Sequence, residues 1–174
     1  MTPIDIETHE AALTRLNRFM RLRSAPLLLT AVRWGHHPTK EITESMGVWE
    51  AARNWAIQNG VGLGDPAVRV LVVGDGHSPR TGALVATMTN WSVTSIDPLL
   101  RLEGPHLLIR RLTGIRARVE DRPDLRAEIV LSVHSHATVA ATKAAATRVV
   151  VAMPCCVPWP GVGTVDPAAV RDEL

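Results

Sequence analysis

Two glycines and a more distant carboxylate make the first pattern in this chain that could do chemistry. Val70-Leu71-Val72-Val73-Gly74-Asp75-Gly76-His77 runs a β-branched segment straight into a Gly-x-Gly loop. Glycine there permits a tight turn and lets a ligand approach the main chain closely. Asp97 stands at the carboxyl end of the next apolar run. A carboxylate in that place can accept hydrogen bonds from both hydroxyls of a ribose. Pro79 occupies the position where a G-x-G-x-x-G dinucleotide motif carries its third glycine, which argues against a pyrophosphate lying on the helix start. The expected ligand is a nucleoside without a pyrophosphate cradle, with S-adenosylmethionine ahead of NAD. Gly74, Asp75, Gly76, His77 and Asp97 are its candidate binding residues. The bland alternative for Asp97 is a turn-forming role before Pro98.

The second pattern is a set of histidines and cysteines that follow apolar runs: His77, then His134 and His136, then Cys155 and Cys156. In open α/β sheets ligands bind at the carboxyl ends of the strands, so these groups could share one mouth. Three chemistries are open. His134 or His136 could act as a general base or substrate positioner, Cys155 could be a covalent nucleophile, or the set could bind a metal. Neither H-x-H nor C-C has the loop spacing of a zinc finger, and no metal is expected. The alternative for each is a buried thiol or a solvated imidazole. Neighbouring cysteines would close a strained ring, so a Cys155–Cys156 disulfide is not expected.

The elements that must position these groups follow from hydrophobic periodicity. Residues 8–22 form a basic amphipathic helix, with Ala12, Leu13, Leu16, Phe19 and Met20 as its apolar face. Residues 27–32 are a short strand or a buried turn. Thr39 is a plausible N-cap for a helix running to about Asn59, with Gly60 as its stop. Strands are predicted at 68–73, 92–96, 129–133 and 149–153, and a further one at either 107–109 or 115–119. Helices are predicted at 82–89 and 137–147. Strands alternating with helices imply an α/β, Rossmann-like domain: a mostly parallel sheet with helices on both faces and a short C-terminal end. One domain over 1–174 is expected, with residues 1–60 as a helical cap and 67–158 as the βαβ core. Trp91 and Trp159 could face a base, but core burial is the ordinary role of a tryptophan.

Composition excludes several classes. The chain has 174 residues, 46% hydrophobic and 21% charged, enough apolar material for a real core. No apolar run approaches the roughly 20 residues needed to span a bilayer, so no membrane partner is expected. The opening residues lack the order of a secretory signal, and two adjacent cysteines offer no disulfide framework, so the expected location is the reducing cytoplasm. Net charge is +2, yet among 19 basic residues only Lys40 and Lys143 are lysine. Coding bias explains much of that arginine. Two arginine clusters (15, 18, 21, 23 and 110, 111, 116, 118, 122, 126) remain as anion-binding surface and leave a nucleic-acid partner open. A homo-oligomer is equally open.

Four short segments together resemble class I S-adenosylmethionine-dependent methyltransferases. Within these they are most similar to the acceptor-stem tRNA 2′-O-methyltransferases and their methyltransferase-like relatives. That group carries K-K-x-H-E at a helix start, D-x-G-x-G-K-G in the loop, L-H-T-C-G-D after the fourth strand and G-C-C after the fifth. The matching stretches are Lys40-Glu41-Ile42-Thr43-Glu44, Val72-Val73-Gly74-Asp75-Gly76-His77-Ser78, Val133-His134-Ser135-His136-Ala137 and Pro154-Cys155-Cys156. Val72 replaces the first acid, Ser78 the third loop glycine, and His136-Ala137 the Cys-Gly pair. The resemblance implies a Rossmann-like methyltransferase fold, S-adenosyl-L-methionine as cofactor and RNA as substrate. It implies His134, Cys155 and Cys156 as catalytic, Lys40, Glu44 and His136 on the substrate side, and Glu120 or Asp121 near the adenine. Two other functions compete with it. Val72 and the short C-terminus also suit a catalytically inactive binding or assembly protein, and the His/Cys set would suit a metal-dependent enzyme.

Overall fold

The computed structural model describes residues 6–32, 37–104 and 108–153. Five strands form one sheet: β1 (Arg69–Val73), β2 (Ser92–Ile96), β3 (Leu112–Ile115), β4 (Ala127–Val133) and β5 (Ala146–Met153). The order across the sheet is β3-β2-β1-β4-β5, and every pairing is parallel. The expected Rossmann-like α/β sheet is therefore present. After β3 the chain crosses back to the other side of β1, so the direction of strand addition reverses between β1 and β4. Loops leaving two such strands diverge, which opens a crevice at their carboxyl ends.

Residues of β1 alternate between two cores. Val70 and Val72 pack with Val93, Ile129, Leu131 and helical residues from α1 (Ile6–Met20), α2 (Ala25–Val32), α3 (Pro38–Gln58) and α4 (Arg80–Met88). Leu71 and Val73 face the other way, into a smaller core with Ile96, Val130, Val119 and Ala145 of α5 (Val139–Ala145). Strands covered on both faces need apolar residues at every position, which explains the unbroken Val/Leu runs. Trp91 is fully buried, with Nε1 donating to the Gly62 carbonyl at 2.9 Å and its ring edge-on to Trp49.

Several local expectations are corrected. Residues 27–32 belong to helix α2, not a strand: Pro26 sits in the first turn, where its missing N–H costs nothing, and Leu28, Ala31 and Val32 share a buried face. Helix α3 begins after His37 with Pro38 in its first turn, so Thr39 is inside the helix and not its cap. In α1, Leu13 and Met20 are 59% and 54% exposed. The helix is rotated so that Arg15 reaches inward to Glu50 at 3.0 Å, where Arg18 joins it at 2.9 Å. Strand β3 starts ahead of the second predicted segment and shares only Ile115 with it. It is a partly buried edge strand containing Gly114, so its apolar signal is weak. β5 starts at Ala146 because pairing with Ala127 overrides the helix preference of alanine. Among the described residues no helix is long and apolar enough to cross a membrane.

At the amino end of β4 the carboxylate of Glu128 accepts from the backbone N–H of Arg69 at 2.8 Å and from its guanidinium at 3.2 Å. Partial burial would raise the Glu128 pKa, but these Arg69 bonds outweigh it and hold the carboxyl below the ordinary glutamate value. A depressed folded-state pKa stabilises the protein above the unfolded value, and that stability is lost as the pH falls through the folded one. The thermal midpoint is therefore expected to drop on acidification below about pH 4.5. Glu128→Gln should lower the neutral-pH midpoint and flatten this acid limb. A limb of unchanged steepness in calorimetric scans from pH 6 to 3 would refute the assignment.

Candidate active site at the strand ends

Gly74 follows β1 at φ +84°, a conformation disfavoured for residues with a Cβ. A Cβ added there would lie 2.6 Å from Ser135 Cβ and 2.7 Å from Ser135 Cα. The loops after β1 and β4 thus touch through a glycine at the point where strand order reverses. Gly76, at φ +73°, turns its N–H onto Asp97 Oδ2 at 2.9 Å. Asp97 Oδ1 accepts from Leu99 N–H at 2.7 Å. Each Asp97 oxygen is anchored by one backbone donor and keeps acceptor capacity for another.

Asp97 forms part of the wall of a cavity of about 250 Å³ at the carboxyl ends of β1, β2 and β4. Gly74, Leu99, Arg118, Glu120, His134 and His136 also line it. Glu120 Oε1 accepts from the Thr138 N–H at 2.7 Å. Burial would raise its pKa, but the Thr138 backbone bond, with smaller help from the Thr138 hydroxyl and Arg118, leaves the carboxyl below its ordinary value. Glu120 is therefore an ionised acceptor at the cavity rim. Asp121, the neighbouring residue, is exposed and does not line the cavity. Adjacent residues in a turn differ in direction by an amount that composition does not reveal.

Asp75 is fully buried beneath the loop and does not line the cavity. Burial pushes its carboxyl pKa up, opposed by Arg80, the N–H groups of Gly82 and Thr81, and the Ser95 hydroxyl. Those bonds measure 2.9, 2.9 and 2.8 Å. They tie the loop to the start of α4 and to β2, so Asp75 positions the loop. Gly82, which sequence reasoning passed over, is the close-packing glycine: a Cβ there would fall 2.0 Å from Ser95 Oγ. Its signal was a third glycine soon after the Gly-x-Gly pair, displaced by Pro79. His77 is exposed, and its carbonyl accepts from Arg101 N–H at 2.9 Å.

His134 follows β4 in the left-handed region, φ +50°, an uncommon conformation for a residue with a side chain. Its Nε2 lies 2.7 Å from Glu44 Oε1. Lys40 Nζ lies 3.6 Å from the same oxygen, one turn earlier on α3. His134 also borders a second cavity of about 190 Å³ that contains Lys40 and Glu44. The fold thus gathers Lys40, Glu44 and His134, while His136 faces the first cavity. Cys155 and Cys156 lie outside the described residues, as does the C-terminal end. Among the described residues no group of three or more His, Cys, Asp or Glu could hold a metal ion. Many arginines of the two clusters are engaged locally: Arg111 with the Thr89 carbonyl, Arg116 with that of Leu100, and Arg122 with Asp124.

No family model matches the chain, and no curated protein matches it. Among solved structures it is similar to MtNAS. A glutamate-to-glutamine mutant of MtNAS in complex with S-adenosylmethionine is 16% identical with a TM-score of 0.42, the match covering 71% of this chain and 46% of that one. MtNAS in complex with MTA and tNA is 15% identical with a TM-score of 0.41, over 71% of this chain and 44% of that one. A further structure of the glutamate-to-glutamine mutant of MtNAS is 18% identical with a TM-score of 0.41, over 75% of this chain and 52% of that one. The chain spans about half the length of these structures.

Proposed function

We propose that this chain binds S-adenosylmethionine in the cavity at the ends of β1, β2 and β4 and acts as a methyltransferase. The observation that carries the reading is Asp97: an anchored carboxylate in the cavity wall, opposite the switch-point loop, with acceptor capacity left for ribose hydroxyls. Gly74 lies in the cavity wall, where packing against Ser135 leaves no room for a side chain. Gly74 and Asp97, which line the cavity, are the cofactor-binding residues, and Gly76 holds Asp97 in place through its N–H. Asp75 holds the loop from beneath, and Glu120 is the acid placed to meet the donor groups of an adenine.

When bound, S-adenosylmethionine supplies a methyl group made electrophilic by its sulfonium. The contribution of the chain is to hold an acceptor in line and to take its proton where one must leave. His134 stands between the two cavities with Glu44 beside it, so this pair is the proton acceptor. The likeness to the tRNA 2′-O-methyltransferase group extends to Lys40 and Glu44 of one motif meeting His134 of another, distant in the chain; it concerns these motif residues and not the RNA substrate.

S-adenosylhomocysteine, the product of methyl transfer, has no methyl to give and is the cleanest probe. Titrated into the full chain in a calorimeter, it is expected to bind with micromolar affinity. No heat at two temperatures would overturn the reading and favour the non-catalytic alternative.

A further inference from the structure

The second cavity, between the start of α3, the start of α4 and the end of β4, carries a charge pattern that bears on the acceptor. Glu41 Oε2 pairs with Arg80 Nη1 at 3.1 Å, and Glu44 Oε1 faces both Lys40 and His134. The Glu41 and Glu44 side chains are only 17% and 15% exposed. Ser45 Oγ and Thr81 Oγ1 lie 3.0 Å apart, joining the two helices beneath these charges. Both signs are therefore mounted on rigid elements around a space of about 190 Å³ that opens beside His134.

From this pattern we infer that the cavity is the acceptor site and that its ligand is a small zwitterion of the amino-carboxylate class. This inference rests on the cofactor reading above. The two carboxylates of the cavity are each paired with a cation, so the space offers a phosphate backbone no excess of positive charge. An apolar ligand would strip water from both ion pairs without replacing its hydrogen bonds. A zwitterion offers an ammonium to the carboxylates and a carboxylate to Lys40 and Arg80, so each charge it desolvates is answered by an opposite one. The small volume also suits a free amino acid better than a strand of RNA.

The test uses the full chain, with and without saturating S-adenosylhomocysteine, titrated with L-homoserine in a calorimeter. Parallel titrations use 3-aminopropan-1-ol, which lacks the carboxylate, 4-hydroxybutanoate, which lacks the ammonium, and a short single-stranded RNA. Homoserine is expected to bind about tenfold or more tighter than either truncated analogue. Glu44→Gln and the more exposed Lys40→Gln should each weaken it by about tenfold while leaving S-adenosylhomocysteine affinity unchanged. The lysine variant keeps the test valid if the glutamate variant fails to fold. Equal binding of the three small molecules, or salt-dependent RNA binding with homoserine silent, would overturn the inference. Homoserine heat without S-adenosylhomocysteine heat would support this cavity and overturn the cofactor reading. The reverse result would keep the cofactor and overturn the zwitterion.

Discussion

Gly74→Ala is expected to lower the unfolding free energy by about 3 kcal/mol or more, because two independent costs add. The first is conformational: an L-residue held at φ +84° pays on the order of 1–2 kcal/mol. The second is steric: the new Cβ would stand 2.7 Å from Ser135 Cα, a backbone atom that no rotamer change can move away. Overpacking of that kind typically costs about 1–3 kcal/mol. Gly60→Ala provides the control, since Gly60 has φ +67° but nothing within 4 Å of a built Cβ. It should lose only the first cost. Urea unfolding of both variants checks the claim, and equal losses would show that the β1 and β4 loops do not meet as closely as described.

Asp97→Ala should weaken S-adenosylhomocysteine binding by roughly ten- to a hundredfold. Hydrogen bonds to a charged group are worth about 1.5–3 kcal/mol, and about 1.4 kcal/mol is tenfold in affinity. The loss has two sources. Ribose hydroxyls lose their acceptor, and the N–H groups of Gly76 and Leu99 lose the carboxylate that shapes the loop. Asp97→Asn separates them: one amide oxygen remains to accept while the charge is gone, so an intermediate loss is expected. Calorimetry on the two variants gives the ranking. Unchanged affinity in Asp97→Ala would remove Asp97 from the cofactor site.

Legibility in the sequence differed from residue to residue for physical reasons. β2 was legible to the residue because its ends are marked by Ser92 and by the Asp97-Pro98 turn. β3 was not, since an edge strand with one exposed side and a central glycine shows little periodicity. The Gly-x-Gly loop was legible as a loop, but not the inward turn of Asp75. Hydrophobic periodicity placed Leu13 on the buried face of α1 and Arg15 away from it, yet Arg15 turns inward and Leu13 outward. That choice belongs to the packing of α1 against α3.

By itself the sequence determined an alternating strand-and-helix chain with a glycine loop after one buried strand and a carboxylate at the end of the next. Those features arise from local preference and from burial on two faces, and both leave their mark residue by residue. Only the tertiary structure decided the order β3-β2-β1-β4-β5 and the crevice at its reversal. It alone brought Lys40 and Glu44 to His134, chose Glu120 over Asp121 for the cavity rim, and set two cavities against one histidine. These are outcomes of pairing between segments far apart in the chain. Hydrophobic period says that a strand is buried, but strand order and side-chain direction in a turn depend on which neighbours it meets.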